Sequence, residues 1–340
     1  MNAPQRPEKE TPGYPALLTV SPSPHIRHED TTRSIMLDVL IALAPALVWG
    51  VYRFGPRVLL LTAIAVLSSA LFEFLFCRIM KRPDTVGDLS ACVTGVLIAF
   101  NLPATAPVWL PVVGSAFAIL IVKELFGGIG KNIVNPAMAA RVFLFLSWSV
   151  RMSDYPVLDG VASATPLKAL KAGELPSVSR ADLFLGNYSG CIGEVSTLLI
   201  LAGGLYLLFR RVITWHIPVA YLGTVALITF IFSGNADHFG FMFAELFSGG
   251  LMLGAVFMAT DYATSPVTPR GRLIYGVGCG LITVFVRTFG GYAEGVSFAI
   301  LIMNLLAWQI DKWGRPRPFG APKKKGKLLS KIRKGADKDA

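Results

Sequence analysis

Charged residues are scarce in this chain. Asp, Glu, Lys and Arg make up 16% of its 340 residues, whereas hydrophobic residues make up 53%. A typical soluble domain carries about 25% charged residues, so too few are available here to cover two soluble domains. The apolar residues also come in blocks of about 20, the length that crosses a bilayer. The composition therefore predicts an all-α polytopic membrane protein.

Cysteine and histidine are scarce as well, which argues against a metal centre within this chain. The four cysteines form no C-x-x-C pair and lie in or beside apolar blocks, so we interpret them as small buried residues. Outside the N-terminal tail the only histidines are His216 and His238, and their spacing suggests no metal or haem pair. The sequence also lacks a dinucleotide-binding fingerprint and a P-loop, so this chain alone is not expected to bind a dinucleotide or hold iron–sulfur clusters.

The net charge of +11 indicates how the chain is oriented in the membrane and does not indicate nucleic-acid binding. Eleven of the 32 Lys and Arg residues lie after Asp311, and most of the others lie between the apolar blocks. Because short loops rich in Lys and Arg stay in the cytoplasm, both the tail 1–34 and the basic tail 313–340 are predicted to be cytoplasmic. The basic tail is also suited to attract anionic lipid.

Ten apolar blocks predict about ten transmembrane helices. The third and fifth are short and adjoin Asn101-Leu102-Pro103 and Asn135-Pro136, which indicates helices broken at membrane depth or ordinary kinked helices. Five blocks fall in 35–150 and five in 191–312, and these halves could form an inverted repeat. The predicted spans are 35–51, 58–77, 87–102, 108–126, 136–150, 191–209, 213–232, 239–259, 273–289 and 295–312.

The segment 151–190 is the one long polar stretch between spans, and the charge bias places it on the outer face. Within it, Pro166 suits the first position of a helix, with Thr165 as its N-cap and Gly173 at its end. Free N–H groups at such a helix start suit a phosphate, and Lys168 could add a counter-charge. A capped surface helix without a ligand is the alternative interpretation.

The same segment resembles a flavinylation motif. Asp159-x-x-x-x-Ala164-Thr165 is similar to the pattern that a flavin transferase reads, in which the Thr hydroxyl receives FMN through a phosphoester. The usual motif has Ser-Gly before Ala-Thr, whereas this chain has Ala162-Ser163. The resemblance implies covalent FMN on Thr165, with Ser163 as a weaker alternative acceptor.

Further segments resemble one family along nearly the whole chain, the RnfD/NqrB family. Its members are subunits of the Rnf electron-transport complex and of the sodium-translocating NADH:quinone reductase, and the chain length and short N-terminal extension fit the Rnf member better. The segments that carry the resemblance are Ser23-Pro-His-Ile-Arg27, Gly127-Gly-Ile-Gly-Lys-Asn-Ile-Val-Asn-Pro-Ala137, Gly193-Glu-Val-Ser-Thr197, Phe257-Met-Ala-Thr-Asp261 and Glu294-Gly-Val-Ser-Phe-Ala-Ile-Leu301.

Two segments on the predicted inner face could form a second flavin site. Glycines in 127–136 let the backbone approach a flat ligand, and Asn132 and Asn135 can donate and accept hydrogen bonds at a ring edge. The resemblance implies non-covalent riboflavin there, with Asp261 contributing to this flavin or to the cation path. A glycine turn and helix cap at 127–136 and a helix end followed by a Pro stop after Asp261 are the alternatives.

Ionisable residues inside predicted spans are costly and are therefore functional candidates. We expect Glu124, Glu245 and Asp311 to be candidates for an ion path, although an ion pair between Glu124 and Arg141 is an equally good interpretation, and Asp311 lies near enough to a span end to reach water. Glu194 begins the sixth span beside the outer segment, where it could shape the covalent flavin site or favour a helix N-terminus.

Together these features predict a flavoprotein subunit of an ion-translocating complex in a bacterial or archaeal cytoplasmic membrane. The resemblance implies electron transfer between ferredoxin and NAD, coupled to Na⁺ or H⁺, with a second FMN-bearing subunit and iron–sulfur subunits as partners. Two alternatives stay open: a subunit of the quinone-reducing relative, and a solute channel or transporter without a redox role.

Overall fold

The computed structural model describes residues 30–155, 166–194, 196–233, 237–292 and 294–315, and their regular structure is helical. A 3₁₀ turn covers Val86–Asp88, and two helices continue as π-helices over Phe117–Glu124 and Gly254–Met258. The helices are α1 (Thr32–Phe54), α2 (Arg57–Ile79), α3 (Ser90–Phe100), α4 (Trp109–Ala116), α5 (Pro136–Ser147), α6 (Ser149–Met152), α7 (Pro166–Lys171), α8 (Arg180–Leu185), α9 (Thr197–Phe209), α10 (His216–Ile231), α11 (His238–Phe247), α12 (Leu251–Leu253), α13 (Pro269–Phe289) and α14 (Val296–Gly314).

Each predicted span contains a helix, but few of these helices cross a bilayer by length and composition alone. Only α1, α2 and α13 are long and apolar enough in the described ranges, with a fourth if the bent pair of α11 and Leu251–Met258 is one span. Helices α3, α5, α9 and α10 are apolar but have 10–17 residues. An all-α membrane protein is therefore supported, whereas ten spans and an inverted repeat stay predictions.

Short helices end or begin where the sequence predicted breaks. Helix α3 ends at Phe100, before Asn101, and α5 begins at Pro136. The prediction of one continuous helix over 239–259 was wrong, because α11 ends at Phe247 and the next helix leaves at an angle of 63°. Ser248, Gly249 and Gly250 make this break, and Gly249 has a positive φ of 69°, a conformation that glycine adopts without strain.

Local capping explains why α5 starts where it does. The side chain of Asn135 accepts hydrogen bonds from the backbone N–H groups of Ala137 and Met138, at 3.0 and 3.2 Å. Pro136 occupies the first helical position, where its missing N–H costs nothing. The start of α5 is thus fixed by two adjacent residues, as the sequence predicted.

The residues after α3 pair with those before α9 and join the two halves of the chain. The N–H of Ile192 donates to the carbonyl of Leu102 at 3.0 Å, and the N–H of Gly193 donates to that of Phe100 at 2.9 Å. A Cβ on Gly193 would lie 2.4 Å from the Phe100 side chain. Only glycine lets these two segments approach so closely.

The outer surface of the helices carries many large apolar side chains. Such a broad exposed apolar surface is atypical of a soluble monomer and is what a lipid environment covers. Examples more than half exposed are Val48, Tyr52, Leu67, Phe209, Phe285, Leu305 and Trp308.

Residues 166–190 of the polar segment are anchored on α11. Leu170 of α7 and Leu183 of α8 pack with Tyr188 and Ala244 in a small buried cluster. The hydroxyl of Tyr188 donates to the carbonyl oxygens of Glu194 and Phe247, both at 3.2 Å. This cluster holds α7 against α11.

Candidate functional site

The predicted flavin acceptor Thr165, and with it Asp159, Ser163 and Ala164, lie outside the described residues. The described chain resumes at Pro166, the first residue of α7. The end predicted for this helix is confirmed, because α7 ends at Lys171 and Gly173 follows with a φ of 79°. Its predicted start at Pro166, with Thr165 as the N-cap, stays a prediction because the description resumes at Pro166.

A cavity of about 350 Å³, which we call the α7 cavity, begins at Pro166. Its volume is within the range of pockets that hold cofactors, roughly 300–1,000 Å³. Helix α7 contributes two cations, and four aromatic side chains from other elements offer flat faces. The residues of these two groups are Lys168 and Lys171, and Phe145, Tyr155, Tyr188 and Tyr292.

A buried charge network forms one wall of the α7 cavity. Nη2 of Arg141 donates to Oε1 of Glu194 at 2.7 Å and also contacts Oε2 of Glu294. Nη1 of the same guanidinium donates to Oδ1 of Asn101 at 2.5 Å. One guanidinium thus serves two carboxylates, and Gly250 supplies a further backbone N–H to Glu294 at 3.1 Å.

This network corrects one interpretation of the sequence. Arg141 pairs with Glu194 and Glu294 and not with Glu124, whose oxygen Oε1 is buried without a hydrogen-bond partner. Glu194 does line the α7 cavity, so it lies where the sequence placed it, although its part in cofactor binding stays a prediction. Glu294 was missed as a site residue because its partners are distant in sequence.

A second cleft, the Asn135 cavity, lies at the start of α5. It encloses about 110 Å³ and is open at its mouth. Ile129 and Tyr262 are exposed in its lining. The cleft brings together Asn132, Asn135 and Asp261, the three residues predicted for the second flavin, and adds Lys123.

The two asparagines differ in how many polar atoms they have left for a ligand. Asn135 uses its Oδ1 to cap α5, and its Nδ2 donates to the carbonyl of Met258 at 3.2 Å. Asn132 makes one side-chain bond, from Nδ2 to the carbonyl of Val134 at 3.2 Å. Asn132 is therefore the better hydrogen-bonding partner for a ring edge, and Asn135 fixes the wall beside it.

Asp261 lies in the loop after the π-helix and its carboxylate is partly satisfied within that loop. It accepts a hydrogen bond from Oγ1 of Thr264 at 3.1 Å and a longer one from the N–H of Ala263. Burial raises the pKa of this carboxyl, and the hydrogen bonds from Thr264 and Ala263 oppose that rise. Asp261 is thus a half-buried acid at the edge of the cleft.

One family model matches the sequence over most of its length. It is the model of the NQR2, RnfD, RnfE family, and it matches residues 19–320. The chain belongs to this family. The match covers both cavities and every described element, so membership applies to the whole helical body.

Three relatives show how similar other members of the family are. The D subunit of a Na⁺-translocating ferredoxin:NAD⁺ oxidoreductase complex from Acetobacterium woodii is 51% identical, over 90% of this chain and 96% of that protein. The D subunit of a proton-translocating complex of the same kind from Clostridium ljungdahlii is 39% identical over 89% and 96%. The D subunit of an ion-translocating oxidoreductase complex from Ectopseudomonas mendocina is 37% identical over 88% and 94%.

A buried cluster of acids and one lysine lies beside the Asn135 cavity in this family member. Nζ of Lys123 donates to Oε1 of Glu73 at 2.8 Å and to Oγ of Ser90 at 2.7 Å, and lies 4.0 Å from Oε1 of Glu124. Both glutamates retain a buried carboxylate oxygen without a hydrogen-bond partner in the described part of the chain. Of the three ion-path candidates, Glu124 is the one with an unsatisfied group.

The other two ion-path candidates have structural partners. Glu245 forms a buried ion pair with Arg287, with 2.6 Å between Oε2 and Nη1. Asp311 accepts hydrogen bonds from the N–H groups of Val267 and Thr268, at 3.0 and 3.3 Å, just before α13 begins. These contacts give both acids a role in holding helices together, and an ion-path role for them stays a prediction.

Proposed function

We propose that this chain is a membrane-embedded flavoprotein subunit of an ion-translocating ferredoxin:NAD⁺ oxidoreductase complex. In this proposal Thr165 carries FMN through a phosphoester, riboflavin binds without a covalent bond in the Asn135 cavity, and electrons pass between them. Membership of the family and the names of its relatives support the complex. The observation that carries the two-flavin part is the pair of separate cavities, one of which begins at the residue after Thr165.

The α7 cavity fits a flavin attached at Thr165. Lys168 and Lys171 place positive charge near the phosphoester, and aromatic faces such as those of Tyr188 and Tyr292 can pack against a flat ring. Arg141, on the wall, is paired with Glu194 and Glu294, so the positive charge available to the ligand comes from the two lysines of α7. The flavin supplies the redox chemistry, and these residues supply position and charge.

The Asn135 cavity fits a smaller part of a flavin than the α7 cavity does. Its enclosed volume holds one edge of a tricyclic ring, and its open mouth leaves space for the remainder beside Ile129 and Tyr262. Asn132 has a side-chain acceptor oxygen available for the enclosed edge, and Asp261 lies at the rim. We propose riboflavin there, because it has no phosphate that would need a cation cluster.

The complex supplies what this chain lacks. A second FMN-bearing subunit and iron–sulfur subunits would exchange electrons with the two flavins, and a flavin transferase would attach the FMN. The transported cation is Na⁺ or H⁺, since relatives of both descriptions occur. Glu124 is the first candidate for a cation contact because its buried oxygen is unsatisfied. We propose the cytoplasmic membrane as the location, with both termini inside and the flavin-bearing segment outside.

The proposal is tested by in-gel fluorescence of the denatured chain from cells that contain the flavin transferase. We expect yellow fluorescence that Thr165→Ala abolishes and the matched variant Ser163→Ala retains. A chain without covalent flavin in such cells would refute the proposal and favour a solute transporter.

The quinone-reducing relative is tested separately on the purified complex. Reduction of NAD⁺ by ferredoxin supports the proposed activity, whereas reduction of quinone by NADH would assign the chain to the other branch of the family.

A further inference from the structure

A third cavity, which we call the α10–α13 cavity, lies between α7, α10, α11 and α13. It encloses about 210 Å³, which is less than the roughly 300–1,000 Å³ of pockets that hold drug-sized ligands and cofactors. Of its described lining residues only Lys171 also lines the α7 cavity, and none lines the Asn135 cavity. The cavity therefore suits a compact chemical group and not a whole cofactor.

The position of the α10–α13 cavity along its helices matches the edge of a bilayer. Both α10 and α13 are apolar, and the cavity is lined by the last turns of both, close to their ends at Ile231 and Phe289. Outward-facing side chains of α13 such as Leu281 and Phe285 are large, apolar and exposed. Because acyl chains give way to headgroups where apolar helices end, the cavity lies at the depth of lipid headgroups.

The buried part of the lining is an ion pair whose cation is not fully used. Arg287 and Glu245 are 4% and 7% exposed, with 2.6 Å between Nη1 and Oε2. The guanidinium also donates to the carbonyl oxygens of Glu245 and Ser248, at 2.6 and 3.3 Å. These are three hydrogen bonds from a group with five N–H donors, and Nε has no partner in the described part of the chain. Arg287 therefore retains donors for an acceptor.

The charges around the α10–α13 cavity do not balance. Its described lining has two cations, Lys171 and Arg287, and one carboxylate, that of Glu245. Lys171 is exposed and donates one hydrogen bond within the described chain, from Nζ to the carbonyl oxygen of Gly290 at 2.7 Å. The ammonium group has two further N–H donors. An excess of positive charge in a cleft attracts anions, so the lining predicts an anionic ligand.

Part of the same lining is apolar. Phe232 is 78% exposed, and Ile228 and Val284 are half-buried. An inorganic anion would leave these side chains without an apolar partner. A phospholipid would cover them with its acyl chains and bring its phosphate to the cations, so the mixed lining favours an amphiphile.

We propose that the α10–α13 cavity binds an anionic phospholipid, with its phosphate beside Lys171 and Arg287 and its acyl chains along Ile228, Phe232 and Val284. Charge complementarity selects an anionic headgroup, and the apolar lining selects a lipid over free phosphate. Basic pockets between transmembrane helices are known to bind lipid headgroups. The inference does not depend on a flavin in either of the other cavities.

A purely structural role for Lys171 is the alternative explanation of the unbalanced charge. Its bond to Gly290 places a cation at the carbonyl end of α13, where the helix dipole favours positive charge. That role needs no lipid. The two explanations therefore differ in whether Lys171 controls the binding of a lipid.

Photo-crosslinking of the purified complex in phosphatidylcholine vesicles tests the proposal. One probe is phosphatidylglycerol with a photoreactive group in its acyl chain near the headgroup, and the comparison probe is phosphatidylcholine with the same group. Labelled peptides are identified by mass spectrometry. We expect the phosphatidylglycerol probe to label segments 228–232 and 284–288 several-fold more than the comparison probe does. Unlabelled phosphatidylglycerol should compete with it, whereas inorganic phosphate should not.

Variants of the lining identify what holds the lipid. Lys171→Gln should lower the labelling several-fold, and Lys171→Arg, which keeps the charge, should retain it. Lys168→Gln is the matched control, because Lys168 lies in the same helix and lines the α7 cavity but not this one. Val284→Phe occupies part of the cavity without changing its charge and should lower the labelling as well.

Four results would overturn the inference. Equal labelling by the two probes would show ordinary boundary lipid. Competition by inorganic phosphate as strong as that by phosphatidylglycerol would assign the cavity to free phosphate. Unchanged labelling in Lys171→Gln would leave Lys171 with the structural role alone. Absence of label from both segments would show that another subunit covers the cavity. None of these results bears on the covalent flavin, so the proposed function is tested separately.

Discussion

Gly250 has no side chain, and the charged side chains on the wall of the α7 cavity occupy the space that a Cβ would need. A Cβ there would lie 2.5 Å from Oε1 of Glu294, 2.8 Å from Oε1 of Glu194 and 3.0 Å from Nη1 of Arg141. We expect Gly250→Ala to destabilise the protein by about 1–3 kcal/mol, as overpacking does. It should also weaken flavin retention in the α7 cavity, because the network must move apart.

Thermal unfolding in detergent and the flavin content of the purified chain measure this effect. Gly223→Ala in α10 is the matched control, since an added Cβ there meets nothing within 4 Å. A Gly250→Ala protein as stable as the control would show that the network is loosely packed.

Lys123 and Glu73 form a buried pair whose partners are expected to be interdependent. Their side chains are 4% and 0% exposed, with 2.8 Å between Nζ and Oε1. We expect Lys123→Met to cost about 3–5 kcal/mol because it leaves Glu73 charged and unpaired. The double variant Lys123→Met/Glu73→Leu should recover only part of that loss, since Glu73 no longer carries an unpaired charge but Glu124 still lacks the cation that lies 4.0 Å away in the unmodified chain.

The free energies of unfolding of the two single variants and the double variant give the coupling between these residues. If the loss of unfolding free energy in the double variant equals the sum of the two single losses, Lys123 acts mainly on Glu124 or on the Asn135 cavity and not on Glu73.

Helix α5 has one feature that the sequence predicts, its first residue, and one that the sequence does not predict, the ion-pair partners of Arg141. Its start follows from adjacent residues, Asn135 and Pro136, and therefore was predictable. The partners of Arg141 were not, because Glu194 and Glu294 are 53 and 153 positions away and only the folded chain brings them together. The break at Ser248–Gly250 had a local signal in two successive glycines, but the apolar run on both sides concealed it.

The two asparagines at this helix are predicted to differ on substitution. Asn132→Ala and Asn135→Ala should both lower bound riboflavin while the flavin on Thr165 is retained. Asn135→Ala should also cost about 0.5–2 kcal/mol, because α5 loses its N-cap. Asn132 caps no helix, so its variant should keep near-normal stability.

Acid-extracted riboflavin and the melting temperature distinguish the two variants. Asn135→Ser is the control, because its hydroxyl can still cap α5 and adds no charge at this buried position. Riboflavin content that stays normal in both alanine variants would place that flavin outside the Asn135 cavity.

At the scale of the whole molecule, the exposed apolar surface and the distribution of Lys and Arg act together. The surface requires a bilayer around the helices, and the charge bias sets which end faces the cytoplasm. On this basis we predict that segment 166–190 lies outside, on the opposite side from the turn after α2. Such an arrangement would decide which partner subunits reach each cavity.

We therefore predict that Ser177→Cys, exposed between α7 and α8, reacts with a membrane-impermeant maleimide added outside intact cells. Asp84→Cys, exposed after α2, should react only after permeabilisation. The unmodified chain is the control, because three of its four cysteines, Cys77, Cys191 and Cys279, are buried and should give little background. The opposite labelling pattern would reverse the orientation. It would also move the proposed covalent flavin to the cytoplasmic side, where no crossing of the membrane by electrons would be needed to reach a cytoplasmic acceptor.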